Sequence, residues 1–249
     1  MNKLISADVP RVLRSKITYI ILLLVAFMAA ASVFTTAVET DDRSMLFAVS
    51  SNNLSLFLGL MFPVFAGGLS IMLIATEFSS GVIRNKFVMG HSRSSILFSW
   101  CVIYSATTLL TFAVYIGTYF AALAAFGADL SSADAGNVAV NLLTLLLFSM
   151  KFQMFSFLMV CIYPDAKTAV IVYILNNVTM VPLMLASMSD EKSKAVKFLS
   201  RIFIFGFTAG DFTLLDEPDK PWLTALLITA LGVVYFILAL VYFRRKDLK

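Results

Sequence analysis

Few residues in this chain have the type and spacing to do chemistry, and they fall in two groups. The first is the polar stretch from Glu77 to Arg93, which holds Glu77, Gly81, Arg84, Lys86, His91 and Arg93 between two long apolar runs. The second lies inside apolar runs: Lys151 and Gln153 in one, Asn176 and Asn177 in the next. A charge buried at such depth is costly and faces a bundle interior or a water-filled cavity. These four residues therefore either line a substrate path or hydrogen-bond between helices and brace the bundle. Familiar catalytic constellations do not form. His91 is the one histidine, so zinc motifs built on two histidines are excluded. There is no Gly-x-Ser-x-Gly, no pair of carboxylates inside an apolar run, and no Gly-x-x-x-x-Gly-Lys-Ser/Thr loop for ATP. The residues predict neither catalysis nor a cofactor or metal held by this polypeptide.

The Glu77–Arg93 stretch has a local design. Gly81 breaks the helix that Glu77 ends, and Val82 to Met89 can form about two further turns, closed by Gly90 as a C-cap. In that short helix Ile83 and Phe87 share one face at i and i+4, with Val82 beside them and Arg84 and Lys86 at the flanks. A short cationic helix with an apolar ridge, held at a membrane surface, is shaped to dock a cytosolic partner.

The elements that must position these residues are membrane spans. Of 249 residues 60% are hydrophobic and 14% charged, where a soluble domain would carry roughly 25% charged residues. The mean hydropathy is +0.90, and the apolar runs reach the length needed to cross a hydrocarbon core of roughly 30 Å. Strand-like alternation is absent from runs such as Ile20 to Phe27, which predicts an all-α membrane protein. Six spans are expected: Ile17–Val38, Leu54–Thr76, Ile96–Ala125, Val138–Tyr163, Ala166–Ser187 and Trp222–Phe243. The first is too long for a signal-peptide core and is kept as a span. Ahead of it, Asn2 to Lys16 mixes basic and apolar residues as an amphipathic interfacial helix does, interrupted or restarted at Pro10. Cys101 and Cys161 fall within spans and read as packed thiols. With no repeat and no linker, residues 1–249 read as a single transmembrane domain.

Charge sets the orientation. One side collects Lys3, Arg11, Arg14, Lys16, Arg84, Lys86, Arg93, Lys167 and the Arg244-Arg245-Lys246 cluster, with few acids. The other gathers Glu39, Asp41, Asp42, Asp129, Asp134, Asp190, Glu191, Asp211, Asp216, Glu217 and Asp219. The positive-inside rule then puts both termini and the Glu77–Arg93 loop in the cytosol. The net charge of +4 serves this topology, because the cations sit at span ends and form no stripe for nucleic acid. Between spans five and six, Ala195 to Phe212 is apolar but short and carries Arg201. It is expected to enter the outer leaflet and return, broken at Gly206 and Gly210.

Six spans, a basic surface helix before the first, and Glu77-Phe-Ser-Ser-Gly81-Val-Ile83-Arg84 after the second together resemble the ABC-2 type permeases, membrane subunits of ATP-driven exporters. Ser92-Arg93 before span three and the terminal Phe243-Arg-Arg-Lys-Asp-Leu248 are similar too, while Val82 stands where the family often has threonine. The resemblance implies that Glu77, Gly81, Ile83, Arg84, Lys86 and Phe87 build a coupling helix, with Ile83 and Phe87 inserting into a partner and Arg84 and Lys86 at the rim. It implies a separate ATPase subunit that binds ATP and magnesium, and a second permease subunit, identical or not. It also implies a bacterial plasma-membrane location, with export of antimicrobial peptides or drug-like amphiphiles as the favoured role. The competing readings are a non-transporting scaffold or sensor, and an electrochemically driven carrier. The carrier lacks a mid-membrane carboxylate for proton coupling.

Overall fold

The computed structural model describes residues 2–40, 46–47, 49–51, 62–129, 134–163, 165, 167–175 and 221–245. Among these, all regular structure is α-helix. The helices are α1 (Asn2–Leu13), α2 (Lys16–Glu39), α3 (Phe62–Ser79), α4 (Val82–Val88), α5 (Arg93–Ala125) and α6 (Ala135–Ile162). Residues 167–175 form α7, and α8 is Pro221–Arg245. Four helices are long and apolar enough to cross a membrane, and the bent pair α3–α4 makes a fifth if counted as one span. Expected spans one, three, four and six coincide with α2, α5, α6 and α8. Residues 54–61 of span two, most of span five with Asn176 and Asn177, and the expected re-entrant segment Ala195–Phe212 lie outside the described residues.

α5 and α6 form the centre. Their buried faces carry Trp100, Tyr104, Tyr115 and Tyr119 on α5, and Phe148, Phe157 and Val160 on α6. α3 and α8 pack against α6, and α2 lies along α5. Two apolar cores result. One gathers around Trp100, with Ile74, Phe157, Tyr173 and Phe243. The other joins Val25, Ala29 and Val33 of α2 to Phe62, Tyr115 and Tyr119. The outer helices keep apolar faces exposed, as a lipid-facing surface requires: Leu23 and Phe27 on α2, Leu226 and Ile237 on α8. The thiol of Cys101 points at the Met154 sulfur, 3.8 Å away, and Cys161 is buried; neither is in a disulfide.

α1 differs from expectation. It runs unbroken through Pro10, because Leu4, Asp8 and Val12 form one buried stripe that spans the proline and packs on the protein. Tertiary packing on both sides of the ring outweighs the one backbone hydrogen bond it removes. Ile5, Val9 and Leu13 make a neighbouring, more exposed apolar stripe.

At one end of the bundle, α5 and α8 are clamped reciprocally. Arg93 donates to the carbonyl oxygens of Phe243 (3.3 Å) and Arg244 (2.8 Å), two of the last acceptors of α8. Arg244 donates back to Ser94 Oγ at 2.8 Å. Ser92 caps α5, accepting from Ser95 N. On the connection after α6, Asp165 starts α7 by accepting from the Thr168 amide (3.0 Å) and hydroxyl (2.9 Å). Those hydrogen bonds, with Lys167 nearby, hold its carboxyl below the usual range.

Candidate functional site

α4 is bounded by two glycines, the first of which makes the corner with α3. Gly81 has φ 71°, a left-handed conformation that stops α3 and redirects the chain by 60° into α4. Gly90 has φ 83° and ends α4 in a Schellman motif. His91 N donates to Lys86 O (3.1 Å) and Gly90 N to Phe87 O (2.9 Å), as the predicted C-cap requires.

α4 is seated by a buried charge cluster. The Lys86 ammonium donates to both Asp8 oxygens, at 3.0 and 2.8 Å, and to Glu77 Oε2 at 2.8 Å. Glu77 also accepts from Trp100 Nε1 at 3.0 Å and from Arg11. Arg11 in turn lies 3.0 Å from Asp8. Two carboxylates face two cations, so the cluster is neutral, and the three donors of Lys86 are all used. Asp8, Glu77 and Lys86 are buried, while Arg11 is partly open to solvent. Such a cluster replaces lost hydration only while every member is present, since removing one partner of a buried pair costs about 3–5 kcal/mol. Mechanically, it fastens α1 and the end of α3 to α4, and through Trp100 to α5.

This arrangement turns several of the expected contact residues of α4 inward. Ile83, expected to insert into a partner, is only 3% exposed and belongs to the core around Trp100. Phe87 is half-buried against the same core, with the Arg93 guanidinium 5.8 Å from its ring centre. Lys86, expected at the rim, is 6% exposed inside the ion cluster. The ridge faces inward because α1 and α5 supply an apolar and charged seat for it. The outward face is Arg84, Asn85, Val88 and Met89, the last two 82% and 68% exposed. Glu77 and Gly81 serve as joint residues. Asp8, Arg11 and Trp100 were not among the sequence candidates. Asp8 carries a signal: it is the lone acid of a basic segment, and it sits four residues from both Leu4 and Val12, on the apolar stripe.

Lys151 and Gln153 do not share a face. Gln153 donates to Ser70 of α3, and its amide oxygen has no hydrogen-bond partner among the described residues. Lys151, two residues earlier, is about 200° away around α6. Its Cα packs where a Cβ on Gly232 of α8 would sit, at 3.8 Å. Lys151 is 4% exposed, and its ammonium lies 4.6 Å from the Phe148 ring centre and 5.0 Å from that of Phe152. Among the described residues no carboxylate, carbonyl or hydroxyl accepts a hydrogen bond from it. Each ring face is worth about 2 kcal/mol when desolvated, against several kcal/mol for burying the charge. No protein-family model matches this chain, and neither does any curated protein.

Proposed function

We propose that this chain is the membrane subunit of an ABC-2 type exporter, with α4 as the contact for a separate ATPase subunit. The observation that carries the reading is the Gly81 corner. A seven-residue helix, bent 60° from the preceding span, is locked to that span by Glu77 and Lys86 while it turns Arg84, Val88 and Met89 outward. Motion imposed on α4 by a partner would pass through the ion cluster to α1 and α3, and through Trp100 to α5. ATP and magnesium belong to the partner, which closes on binding them. A second permease subunit completes the transport path across a bacterial plasma membrane, with both termini of this chain in the cytosol. The cargo is an amphipathic compound, an antimicrobial peptide or a drug-like molecule. Affinity purification of the tagged full chain from its native membrane tests this. An ATPase that co-purifies, and whose hydrolysis rises with an amphipathic cargo, is the expected result. A chain that purifies without ATPase activity under conditions that preserve membrane complexes would favour the scaffold or sensor reading instead.

A further inference from the structure

The charges at the cytosolic corner are mutually satisfied, and the lysine deeper in the bundle is not. Lys151 lies eleven residues before the end of α6, roughly 16 Å along the helix from Ile162. Its ammonium has three donors, and what the described residues offer them is the faces of Phe148 and Phe152. A ring face attracts a cation but accepts no strong hydrogen bond. We propose that Lys151, together with Phe148 and Phe152, binds the anionic head of an amphiphile within the membrane.

The chemistry selects that class. A buried ammonium with no acceptor among the described residues is complemented by a carboxylate or phosphate oxygen, which supplies both the acceptor and the opposite charge. Only a molecule with an apolar body carries such a head to this depth. The two rings provide the apolar contact on the head's near side. Along α8, an open apolar cleft of about 570 Å³ is lined by Ala225, Leu226, Thr229, Ala230 and Val233. Thr229 and Val233 lie on the face of α8 next to Gly232, the residue that packs on Lys151, so an alkyl chain along this face lies one helix face away from the α6–α8 contact. Treating this ligand as the exported cargo rests on the exporter reading; the binding itself does not.

The test uses the full chain in neutral phosphatidylcholine nanodiscs, with empty nanodiscs as the baseline and no ATPase present. A dansyl-labelled fatty acid is displaced by oleate, dodecyl phosphate or oleyl alcohol, the last having a similar body and no charge. Oleate is expected to displace it at a concentration at least about tenfold below that of oleyl alcohol, as a desolvated charge pair requires. Lys151→Met should bring the two within about twofold, and Lys151→Arg should keep the preference. Equal displacement by oleate and oleyl alcohol on the wild-type chain overturns the site without any variant, as does a Lys151→Met protein of unchanged melting temperature that still prefers oleate. Adding phosphatidylglycerol to the discs identifies the source: competition assigns the head to a bilayer lipid, and its absence assigns it to a separate amphiphile, the site standing in both cases. Because no ATPase takes part, failure of the exporter reading leaves this result intact, and loss of the oleate preference leaves ATPase association untouched.

Discussion

The Glu77 carboxylate and the Lys86 ammonium lie 2.8 Å apart, joined across the Gly81 bend that separates their helices. The same ammonium holds Asp8 at 2.8 Å, so a helix from the start of the chain shares the joint. Turning α4 must then either break a buried ion cluster or carry α1 with it. Breaking the cluster is the costlier course, which makes α1, α3 and α4 a mechanical unit.

That unit predicts a sharp contrast between two cations of α4. Lys86→Met leaves Asp8 and Glu77 with Arg11 as their only cation among the described residues and should destabilise the protein by about 3–5 kcal/mol. Arg84→Met, on the exposed face, should change stability by no more than about 0.5 kcal/mol. Thermal unfolding of the purified variants checks this, and similar melting shifts for the two would mean that the cluster is not a structural joint.

Gly81 is predicted to matter through its backbone alone. A Cβ there meets nothing within 4 Å, but φ 71° disfavours every residue with a side chain. Gly81→Ala should cost about 1–2 kcal/mol, and Gly81→Asn less, because asparagine tolerates the left-handed region. Equal stability of the wild type, alanine and asparagine forms would show that the corner relaxes at no expense.

Four of the expected apolar helices and the corner glycines are legible in the sequence because their signals are local. An apolar run fixes α5 to within a few residues of its expected start. The offset arises where Ser92 caps the helix and Arg93 reaches across to the carbonyls of α8, 150 residues away. The inward turn of Lys86 is not legible. Periodicity says that Ile83 and Phe87 share a face, but what covers that face is decided by Asp8, 78 residues earlier in the chain. Lys151 and Gln153 look like one polar patch in a linear reading, and the helical turn sends them to different neighbours, Gly232 and Ser70.

Adjacent glycines in α3 should respond oppositely to the same change. A Cβ on Gly67 would collide with the Tyr173 hydroxyl and Ser156 Oγ, and Tyr173 is buried and cannot swing aside. Gly67→Ala should therefore destabilise by about 1–3 kcal/mol, and Tyr173→Phe should not rescue it, because the ring carbon and Ser156 Oγ still meet the added methyl. Gly68→Ala meets nothing within 4 Å and should be neutral or gain up to about 1 kcal/mol of helix stability. A neutral Gly67→Ala would mean that α3 and α6 are not held as closely as described.

The outward face of α4 gives the test that separates docking from folding. Val88 and Met89 project from it, whereas Ile83 sits in the core around Trp100. If the ATPase seats on this face, replacing both exposed residues, Val88→Ser with Met89→Ser, should weaken its binding by about 2 kcal/mol, close to thirtyfold, with the melting temperature of the isolated chain unchanged. Ile83→Ala should do the reverse, lowering stability by about 2–5 kcal/mol through the cavity it leaves. Phe87→Ala, half in the core and half at the edge, should move both readouts. Titration of the ATPase against each purified variant measures the first quantity and thermal unfolding the second. Wild-type affinity in the Val88→Ser, Met89→Ser protein would remove α4 as the contact, because these two residues carry most of the apolar surface that helix exposes.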